Sequence, residues 1–290
     1  MNAKADSFNS FAVLAHPMVA EAAEEAKLVT RYLKDRKLAA VDGYLNDETL
    51  RQRVREGEFD LVVALGGDGT VLRAGHLCAP YNVPILAINM GSFGFLIEVT
   101  KGNWPEPLDR LMKGEYWFEE RMMLHTEVWR EKDCIGDWEV LNDTVIARGE
   151  NVRPVHLSTS LDGQAVTTYV ADALIVATPT GSTAYALAAG GPILPPELRN
   201  ILLMPVAPHL SIDRAIVLAE GSTVSVTVLS EHEVVASGDG QDALQLVKGD
   251  RVDVRASEYI VRFVRFQEVG YFYRKLVSLM DQHPSAGAVK

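Results

Sequence analysis

The residues best equipped for chemistry stand at Gly66-Gly67-Asp68-Gly69-Thr70. The apolar run Leu61–Leu65 enters this turn, and Val71-Leu72-Arg73-Ala74 after it reads as a helix. Strand, glycine turn and helix start together outline a phosphate site. Glycines let the backbone come close, and unpaired N–H groups of a helix's first turn favour an anion. Asp68 is the anomaly. A carboxylate repels phosphates unless a metal intervenes, or unless it takes a proton from an attacking hydroxyl. A glycine-rich turn with a capping aspartate is the plainer reading, and the loop alone leaves both open.

Other stretches could serve the same chemistry. Asn89-Met90-Gly91-Ser92-Phe93-Gly94-Phe95-Leu96 follows the apolar run Pro84–Ile88 and is expected at the same sheet edge. Its glycines and phenylalanines could frame an aromatic ligand or form a turn packed by its own rings. Asp172 to Tyr185 runs from an apolar strand through Thr178, Thr180, Ser182 and Thr183 into the small-residue helix Ala184–Ala189. Hydroxyls and free N–H groups at a helix start suit ribose or phosphate, and Tyr185 could stack on a base. An N-cap before a closely packed helix fits as well. Asn142-Asp143 pairs an amide with a carboxylate able to bind two ribose hydroxyls, or is a turn. Gly238-Asp239-Gly240-Gln241 is weaker, since Asp162-Gly163-Gln164 repeats the string in a hairpin setting. Arg73 and Arg153 could meet phosphates or lie on a solvated surface.

The elements that must position these residues fall into two patterns. Strands Phe11–Ala15, Leu61–Leu65 and Pro84–Ile88 alternate with helices at Met18–Lys37, Asp47–Glu56 and Pro107–Lys113. That alternation predicts a parallel sheet with ligands beyond the strands' carboxyl ends. From about Trp117 short β-rich runs take over: Leu124–Arg130, Glu139–Arg148, Val155–Leu161, Gln164–Val170, Leu174–Ala177, Val224–Leu229, Glu233–Ser237, Val252–Arg255 and Ile260–Phe266. Asp162-Gly163 is a strong hairpin signal there, and the spacing predicts an antiparallel sandwich. A closing helix is expected at Tyr271–Met280. The fold class is α/β. Residues 1–120 form an α/β domain carrying the glycine loop, residues 121–268 a β-rich domain, and residues 269–290 a closing helix and tail.

Composition narrows the function. With 290 residues and 48% hydrophobic content the chain can bury two cores. A net charge of −11 argues against a general nucleic-acid or membrane-surface binder but permits a small anionic ligand. The two cysteines and seven histidines stand in no metal-ligand spacing, so reduced thiols and no structural metal are expected. There is no basic segment with a long apolar core at the start and no run near the roughly 20 residues of a membrane span, so a soluble, cytoplasmic protein is expected. Neither a G-x-x-x-x-G-K-[ST] loop nor a G-x-G-x-x-G fingerprint occurs.

The ordered set G-G-D-G-T, N-x-G-x-x-G-F-L, N-D, T-P-T-G-S-T-A-Y with G-G-P, and D-G-Q resembles the bacterial NAD kinases over roughly residues 59–275. The resemblance implies a Rossmann-like N-terminal domain, a β-sandwich-like C-terminal domain and a chain end returning to the first domain. It implies transfer of the γ-phosphoryl of ATP to the 2′-hydroxyl of the adenosine ribose of NAD, giving NADP, with Asp68 as the base. Gly67, Gly69 and Arg73 would lie beside the substrates and Phe95 would border the adenine. Asn142 and Asp143 would hold the adenosine, and Arg153, Asp172, Thr183, Ala184, Tyr185, Ala186, Leu187, Ala188 and Gln241 fall on further NAD-contacting positions. Mg2+ would arrive with ATP, and a homodimer or homotetramer with neighbouring subunits completing the site is implied. This chain departs from many members in having Asp172-Ala173 for Asp-Gly and Ala186-Leu187-Ala188 for Ser-Leu-Ser, which leaves open the preference between NAD and NADH. Two other readings compete: a lipid or sugar kinase sharing the glycine loop, and a catalytically silent dinucleotide sensor.

Overall fold

The computed structural model describes residues 8–91, 94–209, 213–268, 270–274 and 276. Two compact units divide the chain: one takes residues up to Glu120 and from Val261 onward, the other Arg121–Ile260.

The first unit opens with β1 (Ser10–Ala15), α1 (Ala20–Asp35), β2 (Ala39–Tyr44), α2 (Glu48–Arg55), β3 (Leu61–Gly66), α3 (Asp68–Cys78) and β4 (Ile85–Asn89). A two-residue β5 (Val99–Thr100) and α4 (Pro105–Met112) follow. β2, β1, β3 and β4 lie side by side and parallel, with Phe11 opposite Leu61 and Val62 opposite Ile85. All of β3 and β4 is buried, which is why both read as unbroken apolar runs rather than alternating ones. α1 buries Ala22, Ala26, Val29 and Leu33 against that sheet, while Leu28 stays 48% exposed. Glu25 is buried on the same helix because its Oε1 accepts hydrogen bonds from Trp104 Nε1 at 2.6 Å and Gly102 N at 3.2 Å. Asp47 caps α2 by accepting from Thr49 N and Leu50 N. Residues 271–274 and 276 are helical; the remainder of the expected closing helix lies outside the described residues, as do Ser92, Phe93, Leu210 and Ser211.

The second unit is all but helix-free. Its elements are β6 (Trp117–Arg130, beginning in the first unit), β7 (Asp133–Val140), β8 (Asp143–Arg148), β9 (Val155–Leu161), β10 (Gln164–Ala171), β11 (Ala173–Ala177), a short α5 (Tyr185–Ala188), β12 (Asn200–Val206), β13 (Ile216–Ala219), β14 (Val224–Val228), β15 (Val234–Gly238), β16 (Leu244–Leu246) and β17 (Arg251–Arg265, ending in the first unit). One antiparallel sheet runs β13-β12-β11-β8-β15-β16; β10, β9, β14 and β17 pair in order in the other, where β6 joins β17 and β7. Leu174, Val176 and Ile146 from the first of these pack with Leu157, Tyr169 and Val226 from the second, which makes the expected sandwich. Asp162 (φ +50°) and Gly163 (φ +78°) turn the β9–β10 hairpin.

Several elements differ from expectation. Glu139–Arg148 is two strands, because Asp239 takes the N–H groups of Leu141 and Asn142 that a continuous ladder would use. Val252–Arg255 and Ile260–Phe266 are one strand, β17, whose exposed middle lacks the apolar alternation that marks its ends. β12, β13 and β16 were not anticipated: Pro205 obscures the first, and the others are short, half-exposed edge strands.

Between β11 and α5 the chain makes a 3-10 turn at Gly181–Thr183. A Cβ on Gly181 would lie 1.9 Å from the Asn142 carbonyl oxygen, a backbone atom with no room to yield. Gly181→Ala should therefore destabilise the protein by about 2–3 kcal/mol, within the range for overpacking. Urea unfolding checks it, and an unchanged midpoint would contradict the close packing.

Candidate functional site

The glycine loop sits where β3 gives way to α3. A Cβ on Gly66 would fall 2.0 Å from Thr70 Oγ1, so this glycine permits the sharp turn into the helix. Gly67 and Gly69 are exposed, and among the described residues beyond their own helix and chain neighbours no atom stands within 4 Å of where their Cβ atoms would be. Gly67 is the N-cap of α3 with no side-chain cap, which leaves first-turn N–H groups to an anion. Asp68 is the first residue of the helix and caps nothing on it. Its carboxylate instead accepts the N–H of Phe95 at 2.7 Å and of Leu96 at 3.2 Å. The capping-aspartate reading is thereby set aside. A Cβ on Gly94 would stand 2.0 Å from Asp68 Oδ1, so only glycine lets this loop lie on the carboxylate. Phe95 is half-buried with its ring 6.3 Å from that of Phe272. Arg73 is exposed and has no side-chain hydrogen bond or ion pair among the described residues.

The second unit gathers a separate set around Asn142 and Asp143. Asp239 adopts φ +51° at the end of β15, and its carboxylate accepts from Leu141 N (2.7 Å), Asn142 N (2.7 Å) and Asp143 N (3.0 Å). Its own N–H returns a bond to the Asp143 carbonyl at 2.9 Å. Asp143 is only 6% exposed. Burial first and the Asp239 charge second push its carboxyl up to about 7, against the pull of the Tyr185 backbone N–H. It is therefore poised to change charge near neutrality. The half-buried Asn142 side chain makes no hydrogen bond among the described residues and is available to a ligand.

The hydroxyls of Thr178–Thr183 turn out to be architectural. Thr178 Oγ1 donates to Leu141 O at 2.6 Å and accepts from Gly181 N at 3.0 Å. Ser182 Oγ donates to Pro179 O at 2.6 Å and accepts from Leu194 N at 2.9 Å. Thr183 Oγ1 donates to Thr180 O at 2.9 Å, and the buried Arg121 donates to Thr180 Oγ1 at 3.1 Å. Thr178 and Ser182 are wholly buried, so the expectation that their hydroxyls face ribose or phosphate is corrected. Local turns out-compete a ligand for such groups.

The remaining expected residues are spread over the second unit. Thr183, Ala184 and Leu187 are half-buried, and Tyr185 and Ala188 are exposed. Ala186 is fully buried against Ile175, Leu202 and Met204, so its side chain serves packing. Asp172 pairs with Arg148 at 3.5 Å, while Arg153 and Gln241 are exposed. Asp239 is the residue the sequence undervalued. Nothing in the string separated it from Asp162, whose carboxylate merely accepts Thr223 N in the hairpin turn. Both cysteines are free; burial pushes the Cys78 thiol far up, leaving it inert. Among the described residues no three His, Cys, Asp or Glu side chains converge to hold a metal ion, and no helix is long and apolar enough to cross a membrane.

Comparison with known proteins agrees with this architecture. Residues 18–116 match the ATP-NAD kinase N-terminal domain and residues 141–266 the ATP-NAD kinase C-terminal domain. An NAD kinase of Chloroflexus aggregans is 38% identical over 92% of this chain and 96% of its own length. One from Symbiobacterium thermophilum is 44% identical over 72% of this chain and 74% of its own length. Yeast NADH kinase complexed with NADH shares the fold at a TM-score of 0.85 and 22% identity, covering 98% of this chain and 91% of that one. An NAD kinase from Archaeoglobus fulgidus in complex with ATP does so at 0.73 and 24% identity, covering 92% and 97%. With both family domains matched and relatives this similar along most of its length, the chain belongs to the NAD kinase family.

Proposed function

We propose that Asp68 is the general base of an ATP-dependent NAD kinase reaction. The 2′-hydroxyl oxygen of the adenosine ribose of NAD attacks the γ-phosphorus of ATP, and the bond to the bridging oxygen of ADP breaks. Asp68 takes the hydroxyl proton, and NADP and ADP leave. The observation that carries this reading is the position of the carboxylate. It sits at an uncapped helix start and, among the described residues, is held by two N–H groups and paired with no cation. Fixed orientation is what a base needs, and here the N–H groups that supply it come from a different loop and not from the helix that Asp68 begins.

On the first unit, Gly67, Gly69 and Arg73 would face the phosphates, and Phe95 would border the adenine. Mg2+ arriving on the ATP phosphates would offset their charge beside Asp68. On the second unit, Asp143 would bind the ribose hydroxyls and Asn142 the base. Tyr185, Arg153, Asp172, Gln241 and the backbone of residues 183–188 would contact the rest of NAD. Assembly as a homodimer or homotetramer and a cytoplasmic location complete the proposal.

Incubation with ATP, Mg2+ and NAD should yield NADP, and its absence would sink the assignment. Asp68→Asn should cut kcat by about 10²–10⁴-fold while leaving the Kd for NAD nearly unchanged. Loss of binding in step with turnover would make Asp68 structural.

Asp143 predicts a pH effect on stability. Its carboxyl titrates near 4 in the unfolded chain and at about 7 in the fold. Between those values the folded state holds a proton the unfolded state has released, so stability falls as pH rises through that window and levels off above it. Asp143→Asn has no proton to lose. Its urea midpoint should gain on that of the parent between about pH 4 and about pH 7, and parallel profiles would contradict the shift.

A further inference from the structure

We propose that the returning chain, residues 266–268 and 270–272, positions Asp68 through the loop that grips it, with Glu98 and Phe272 as the positioning residues. The inference rests on Asp68 being the base.

The loop between β4 and β5 is held at two points. Near its middle, Phe95 and Leu96 donate their N–H groups to Asp68. At its end, Glu98 accepts the N–H of Gln267 at 2.7 Å and of Phe266 at 3.2 Å. Phe95 adds a third link, its ring tilted 40° against Phe272, which is 3% exposed. That spacing of 6.3 Å lies within the favourable range for aromatic pairs.

The returning chain is itself firmly seated. Tyr271 Oη donates to the Glu119 carboxylate at 3.1 Å, and Arg265 Nε donates to the same group at 2.8 Å. Glu119 is 2% exposed and Arg265 1%, and the Arg265 guanidinium lies over the rings of Phe263 and Tyr271. Arg110 donates to Phe266 O at 2.9 Å, and Trp117 Nε1 to Gln267 O at 2.6 Å. A buried, hydrogen-bonded ion pair of this kind fixes geometry even where it adds little net stability.

The mechanical consequence follows. Residues 94–98 belong to no strand or helix, so their place is set by what they touch. Asp68 is half-buried and, among the described residues, those N–H groups are its partners, so its carboxylate follows the loop. Displacement of a reacting group by about 1 Å can cost on the order of 10²-fold in rate.

Glu98→Ala and Phe272→Ala should lower kcat about tenfold or more per folded molecule, with KM for ATP and NAD held within about twofold. Glu98→Gln, which keeps an acceptor oxygen, and Phe272→Leu, which keeps the bulk, should restore most of the rate. In an Asp68→Asn background the alanine changes should add little further loss, since they act through the missing base. If Phe272→Ala does not fold, the Glu98 pair carries the test. A folded Glu98→Ala with normal kcat beside an inactive Asp68→Asn overturns the positioning role alone. So do undiminished losses in the Asp68→Asn background. Full turnover of Asp68→Asn by itself removes the base assignment, and this role with it.

Discussion

The first unit depends on one contact: a carboxylate at the start of a helix, held by backbone N–H groups from the next loop of the sheet. Three separate conditions make it possible. β3 and β4 must be neighbours and parallel, so that their carboxyl ends open on the same edge. α3 must begin at Asp68 itself, which the tight turn at Gly66 allows. The loop after β4 must approach without a side chain, which Gly94 allows. The hydrophobic burial of both strands supplies the first condition, and two missing Cβ atoms supply the others.

The second unit solves a different electrostatic problem. Two carboxylates, the buried Asp143 and the half-buried Asp239, lie close enough to influence each other. Three N–H groups satisfy Asp239, while Asp143 holds its proton chiefly because it is buried and then because of the neighbouring Asp239 charge. A group in that state can lend a proton or a charge to an incoming ligand with little energetic penalty. Its backbone is fixed from both sides at once, by the β8–β11 ladder and by the turn at Asp239.

Much of this was legible in the residues, and the exceptions have physical causes. Parallel strands buried on both faces announce themselves as apolar runs, so β1, β3 and β4 were found. The Asp162-Gly163 hairpin was found because positive φ is a local property. Half-exposed edge strands such as β13 carry no such mark. The grip of Phe95 and Leu96 on Asp68 was invisible because main-chain donors leave no trace in residue type. Likewise Asp239 and Asp162 share a string and a backbone conformation, and only tertiary neighbours separate an aspartate that orders three N–H groups from one that trims a hairpin. The hydroxyls of Thr178 and Ser182, which residue type allowed to face a ligand or to serve a turn, serve the turn, because a carbonyl already waits for each nearby.

That inward-turned segment bears on any attempt to transplant the site. Moving residues 178–185 into another scaffold would carry over a turn whose hydroxyls demand the carbonyl of Leu141 and the N–H of Leu194. Without those hosts the transferred stretch would bring buried, unsatisfied groups instead of recognition. The smallest portable module is therefore a piece of one sheet, β11 and β8 with Leu141 before it, together with Leu194, and not the string that catches the eye.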